Sequence, residues 1–221
     1  MKLLIHALSK FICGLLLVGL LIFLPAGTLR YPNGWLLIGL LFVPMLIAGF
    51  VMLFKAPGLL AKRLDAKEKQ GTQKGVVAFS GLMFLVGFVV AGLDFRFSWS
   101  QMPLPVTVAA SALFLIAYAL YAEVMRENAY LSRTVKVEEG QTVVDTGLYG
   151  VVRHPMYMAT VILFLMIPFV LGSWYAALVF ALYPVIIIAR IKGEEDLLTR
   201  ELPGYAAYQK KVKYRMIPYV W

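Results

Sequence analysis

GLYGVVRHPMY, residues 147–157, sets an Arg, a His and a Pro in succession at the head of a long apolar run, with Tyr149 and Tyr157 on either side. Proline in a first helical turn gives up no hydrogen bond, and the residue before it is pushed toward an extended conformation. Pro155 therefore opens a helix, and His154 is expected at its lip, facing the membrane interface. Little else in the chain is so polar so close to so apolar a segment.

The apolar run continues over residues 156–171, stops at Gly172 and Ser173, and resumes over 174–189. A joint of two residues allows only a tight helical hairpin. Each arm holds 16 residues, so the chain rises about 24 Å and returns the same distance at about 1.5 Å per residue. Arg153 and His154 at the entrance are thereby expected beside Arg190, Glu194 and Glu195 at the exit, about one helix-packing distance of 8–10 Å away. Arg190 and Glu194, four residues apart, share a helix face and either pair or point together at a ligand; Glu195 turns about 100° away. Each cluster alone reads as a solvated helix end or as the basic boundary of a span. Their convergence on one hairpin is what singles them out.

Upstream, residues from 3 or 11 to 25, 35–54, 76–93 and 104–122 are apolar enough for four further spans, since about 20 residues cross the hydrocarbon core. Pro44 marks an expected kink in the second. Of 221 residues, 61% are hydrophobic and 15% charged, which is too apolar for a soluble domain. The fold class is all-α: a polytopic integral membrane protein with about six transmembrane helices, ending in the helical hairpin. The first run is read as a retained span rather than a secretory signal, because Lys10 interrupts it and no convincing small-residue cleavage site precedes Arg30.

The net charge of +9 invites a nucleic-acid reading, but the basic residues lie in short clusters between spans. With six spans, the N-terminus, residues 55–75, residues 123–154 and the tail after 189 share one side, and they hold 2, 6, 4 and 7 of the Lys and Arg, 19 of 21. Arg30 and Arg96 remain on the other side. Cytoplasmic loops are enriched in such residues, so both termini are expected in the cytoplasm and nucleic acid is not an expected partner. Cys13 is the lone cysteine, which rules out an internal disulfide or a Cys-based metal site, and no metal site is expected. Residues 61–75 read as a charged connector. In LPGYAAYQKKVKYRMIPYVW, residues 202–221, Gly204 breaks the exit helix and Tyr205 and Tyr208 share a face of a short helix flanked by lysines. The tail is expected to lie on the membrane as anchor or lid, with Tyr219 and Trp221 in the aromatic belt.

Taken in order, TGLYGVVRHPMYMA, a short helical hairpin, RIKGEEDLL and LPGYAAY resemble the isoprenylcysteine carboxyl methyltransferase family and its phospholipid methyltransferase relatives, from about Asn128 onward. The resemblance implies a cytoplasmic cofactor pocket for S-adenosylmethionine and a lipophilic methyl acceptor entering from the bilayer. It divides the chain into N-terminal spans over residues 1–125 and a cofactor-binding methyltransferase region over 126–221. By position it puts Gln141, Val143, Val144, Gly147, Tyr149, His154, Pro155 and Tyr157 on the cofactor, with Glu194 reaching it from the exit helix. Arg190 matches the arginine that binds the acceptor's carboxylate. The stretch before Gln141 aligns poorly, which leaves Arg133 and Thr134 open.

The residue chemistry suits such a transfer. A sulfonium donor with a zwitterionic amino-acid end calls for a carboxylate, hydrogen-bonding rings and a fixed loop backbone, which Glu194, the tyrosines and the GLYG turn offer. A carboxylate acceptor is already ionised at neutral pH and needs no general base, and an arginine can hold one of its oxygens while the other faces the methyl group. A phospholipid amine acceptor would instead need a base, for which Glu195 or His154 are the candidates. A membrane reductase using NADPH usually has more spans. A small transporter calls for ionisable residues in mid-span, whereas Asp94, Arg96 and Glu123 lie at span ends. Membrane lipids and the acceptor are the expected partners; the acceptor's identity and the oligomeric state are not written in the sequence.

Overall fold

Five of the six expected spans form unbroken helix, and the sixth forms two helices, in the computed structural model, which describes residues 2–65, 71–132, 134, 135, 137 and 139–221. Helix accounts for 76% of it, with no strand among the described residues. The helices are α1 (Lys2–Ala26), α2 (Pro32–Lys55), α3 (Pro57–Leu64), α4 (Gly71–Phe97) and α5 (Leu104–Glu127). A 3-10 turn at Gly147–Gly150 precedes α6 (Pro155–Leu171), α7 (Trp174–Phe180), α8 (Tyr183–Glu201) and α9 (Tyr205–Lys211). Proline opens α2, α3, α5, α6 and α8, where its missing N–H would have had no helical partner. Helix α2 continues through Pro44.

Helices α1, α2, α4 and α5 hold 24 to 27 residues, enough to cross about 30 Å of hydrocarbon. Residues 174–201 form a fifth stretch of that kind and α6, at 17 residues, a shorter apolar one. Large apolar side chains such as Leu24, Leu104, Leu178 and Val185 stand exposed around the bundle. So wide an apolar surface belongs in lipid, where helices satisfy their own backbone groups. The chain is an integral, multi-pass membrane protein. Inside, α5 packs along α6 and α1 along α4, burying Ile22, Phe114, Ile167, Leu171 and Phe180 completely or nearly so. Gly92 allows the α1–α4 approach: a Cβ there would lie 2.6 Å from the main-chain oxygen of Ile22.

The hairpin turns as its two-residue joint requires. Gly172 takes φ +81°, and Ser173 caps α7 by accepting from Ala176 N at 3.0 Å. Asp94, buried at the end of α4, accepts from Ser173 Oγ (2.5 Å) and from both N and Oγ of Ser100 (2.7 and 2.6 Å). Tyr31 donates to Leu171 O at 2.5 Å. This polar knot ties α2, α4 and the hairpin at the end remote from His154.

The exit arm differs from the uninterrupted helix over 174–189 that the apolar run implies. It breaks at Ala181 and Leu182, and α8 runs on to Glu201, because its polar second half buries Ile191, Glu195, Leu197 and Leu198 against neighbouring segments. In the connector read over residues 61–75, α3 takes the chain to Leu64 and α4 begins at Gly71, ahead of the expected start at 76. Residues 66–70 lie outside the described residues.

Candidate functional site

Three segments meet at the end of the bundle opposite Gly172: the connector after α5, the second half of α8, and the tail from α9 onward. The connector is fixed first at α5, where Glu127 accepts from Leu148 N at 3.1 Å. The carboxylate occupies the space a side chain at Gly147 would fill, and Gly147 has φ +51°, so only glycine fits this turn. Next, Asn128 Nδ2 donates to Tyr149 Oη (3.0 Å), and Tyr208 Oη donates to the Tyr149 main-chain oxygen (2.7 Å). Burial raises the pKa of both phenols well above the ordinary value and keeps them neutral.

His154 is 5% exposed rather than at an open interface. The reason is the tail, whose main chain runs alongside: Arg153 N donates to Tyr214 O (2.9 Å) and His154 N to Arg215 O (2.7 Å). Arg153 Nη1 adds bonds to Val212 O and Lys213 O at 2.7 and 2.9 Å. Beneath this seam Glu195 collects three partners: Arg153 Nε at 2.7 Å and His154 Nε2 at 3.2 Å on Oε1, with Arg215 Nε at 2.8 Å on Oε2. Each oxygen of this buried carboxylate thus meets a guanidinium, and the cluster locks entrance, exit and tail together. The tail is thus a strap packed over entrance and exit, with Ile217, Tyr219 and Val220 left exposed on its outer side. Tyr205 and Tyr208 turn inward, and Lys211 pairs with Asp145 of the connector at 2.6 Å.

Glu194, one residue along, faces the other way. It accepts from Tyr157 Oη at 2.5 Å, and the same oxygen accepts from Arg190 Nε at 3.0 Å. Guanidinium, phenol and carboxylate form one chain of hydrogen bonds across α6 and α8. They stand on the wall of a cleft of about 830 Å³, open mouth included. The connector closes it with Asn128, Thr134, Gln141, Val143, Val144 and Tyr149, and the far side is Leu198, Leu202, Tyr205 and Tyr208.

Of the residues singled out in the sequence, Gln141, Val143, Val144, Tyr149, His154, Tyr157, Arg190 and Glu194 all line this one cleft. Gly147 and Pro155 do not; Gly147 shapes the turn that carries Tyr149, and Pro155 sets the first turn of α6 beneath His154. Thr134 lines the cleft as well, while Arg133 lies outside the described residues. Sequence reasoning missed two groups. Tyr205 lines the cleft and is 4% exposed, and its hydroxyl is a buried side-chain oxygen with no hydrogen-bond partner among the described residues. Gln73, from the first turns of α4, is 1% exposed and reaches Arg190. Tyr205 was visible in LPGYAAY, but helical spacing does not say which face turns inward; nothing in the sequence near Gln73 marks it.

Residues 108–200 match the family model described as isoprenylcysteine carboxyl methyltransferase (ICMT) family, and no curated protein matches the chain. The match takes in most of α5, the connector, the hairpin and nearly all of α8, leaving α1–α4 and the tail outside. Over residues 108–200, which build much of the cleft wall, the chain is similar to the isoprenylcysteine carboxyl methyltransferase family.

Proposed function

We propose that the protein transfers a methyl group from S-adenosylmethionine to the carboxylate of a prenylcysteine-like or other lipophilic acceptor that reaches the cleft from the bilayer. The observation that carries this reading is the Arg190–Tyr157–Glu194 chain, which presents a guanidinium and a carboxylate on one wall of one cleft.

The residues fit the donor. Glu194 supplies a carboxylate for the cationic end, and Tyr205, whose hydroxyl has no partner among the described residues, adds a further donor on the cleft wall. Tyr149, Val143 and Val144 offer a ring and apolar side chains for a flat heterocycle, and Gln141 a further polar group. When bound, S-adenosylmethionine supplies an electrophilic methyl group on a sulfonium.

The chain's own part is binding and orientation. A carboxylate nucleophile is ionised at neutral pH, so no proton has to be removed, and fixing the reactants in line carries the rate. Arg190 binds one carboxylate oxygen and leaves the other for the methyl group. The amine alternative needs a base, and its candidates are poorly suited: Glu195 is held by Arg153, His154 and Arg215, with the His154 ring against it. We place the cleft on the cytoplasmic face, following the charge bias of the loops.

The test is incubation of purified protein with methyl-tritiated S-adenosylmethionine and either N-acetyl-S-farnesylcysteine or a total lipid extract. Base-labile label, the mark of an ester, is expected. Base-stable label would replace the carboxylate by nitrogen or carbon, and no label with either acceptor would overturn the reading. Glu194→Ala is expected to weaken cofactor binding by calorimetry, whereas Arg190→Ala impairs use of the acceptor.

A further inference from the structure

Resting on that reading, we infer that Gln73 is a positioning residue for Arg190, so that acceptor recognition is set in part by a helix outside the family-matched region. Gln73 Oε1 accepts from Arg190 Nη1 at 3.3 Å, while Gln73 Nε2 donates to the main-chain oxygen of the same residue at 3.3 Å. A guanidinium only donates and a carbonyl only accepts, so one orientation of the amide serves both. The side chain of Arg190 is thereby pinned to its own backbone by a residue 117 positions earlier. Tyr157 holds Nε from the α6 side. Gripped at Nε and at Nη1, the plane of a long, rotamer-rich side chain is set before any acceptor arrives, which is what in-line transfer needs.

A second feature converges on the same contact. Gly193 lies on α8 where a Cβ would fall on Gln73 Nε2. Gly193 is inside the helix with no need for positive φ, and glycine there lowers helix stability. Its effect is to let the α4 amide come this close. Gln73 is itself 1% exposed, a burial that a polar side chain sustains only with its hydrogen bonds made.

Two variants break the clamp from opposite sides: Gln73→Leu removes both bonds at similar volume, and Gly193→Ala drives a methyl group into the amide. Each is expected to lower kcat/KM for N-acetyl-S-farnesylcysteine roughly 10- to 100-fold, the range for loss of a hydrogen bond to a charged group. Calorimetric affinity for S-adenosylhomocysteine should stay at the wild-type value. The double variant should be no worse than either single one, since the contact is lost once. Wild-type activity together with unchanged acceptor kinetics in both variants would overturn this inference and leave the enzymatic reading intact. Equal loss of cofactor and acceptor binding would also overturn it, by showing a general packing role. No methyl transfer by the wild type would end the enzymatic reading, and this inference with it.

Discussion

A tyrosine hydroxyl buried without a partner is a cost that folding does not recover, so Tyr205 separates stability from binding. Tyr205→Phe should leave the ligand-free protein as stable as the wild type or slightly more so, while S-adenosylhomocysteine binds about 1 kcal/mol more weakly, roughly fivefold in Kd. Melting curves and calorimetry on the same samples check both halves; a loss of melting temperature with unchanged affinity would show that the hydroxyl serves the fold. Gly147 is the opposite case, a residue named for the cofactor that acts through the backbone. Gly147→Ala combines about 1–3 kcal/mol of left-handed strain with an overlap on Glu127. It should lower the melting temperature, and Glu127→Ala in the same chain should restore part of it.

Among elements, the strap made by the tail carries most of what the sequence did not disclose. The fold-back of α6 onto α7 and α8 was legible, because a two-residue joint between apolar runs permits one geometry. So was the meeting of Arg153 and His154 with the acidic pair. Which acid does what was less plain: Glu195, expected to turn away, is the one that Arg153, His154 and Arg215 enclose, whereas Glu194 takes the cleft. The pairing of residues 153 and 154 with 214 and 215 runs through main-chain groups, which leave no pattern in side-chain order. Glu195→Ala tests the strap. It leaves Arg153 and His154 buried without their carboxylate, a change that costs about 3–5 kcal/mol. Residues 212–221 should detach and become sensitive to protease while the spans stay folded, and cofactor affinity should fall because Leu202, Tyr205 and Tyr208 belong to the same closing segment. A tail still protected in this variant would remove Glu195 as its fastening.

At the scale of the whole molecule, the structure separates two ends whose charge differs. One holds Arg96 against Gly27 near Arg30, with the buried Asp94 knot. The other holds α3, the connector, the outer half of α8 and the tail, where most Lys and Arg of the sequence fall. Such a bias orients membrane proteins with the basic end in the cytoplasm, and the donor proposed here is a cytosolic metabolite, so charge and chemistry ask for the same orientation. Cys13 is the only thiol and is exposed on α1, so Cys13→Ala gives a clean background for labelling. In it, Arg30→Cys should react with a membrane-impermeant maleimide on intact expressing cells, and Lys213→Cys only after permeabilisation. Both positions are exposed, so access is decided by side alone. Labelling of both from outside would mean an odd number of crossings between residues 30 and 213 is absent, which would dissolve the six-span arrangement. Exchange of the two outcomes would keep the six spans but turn the cleft away from its donor.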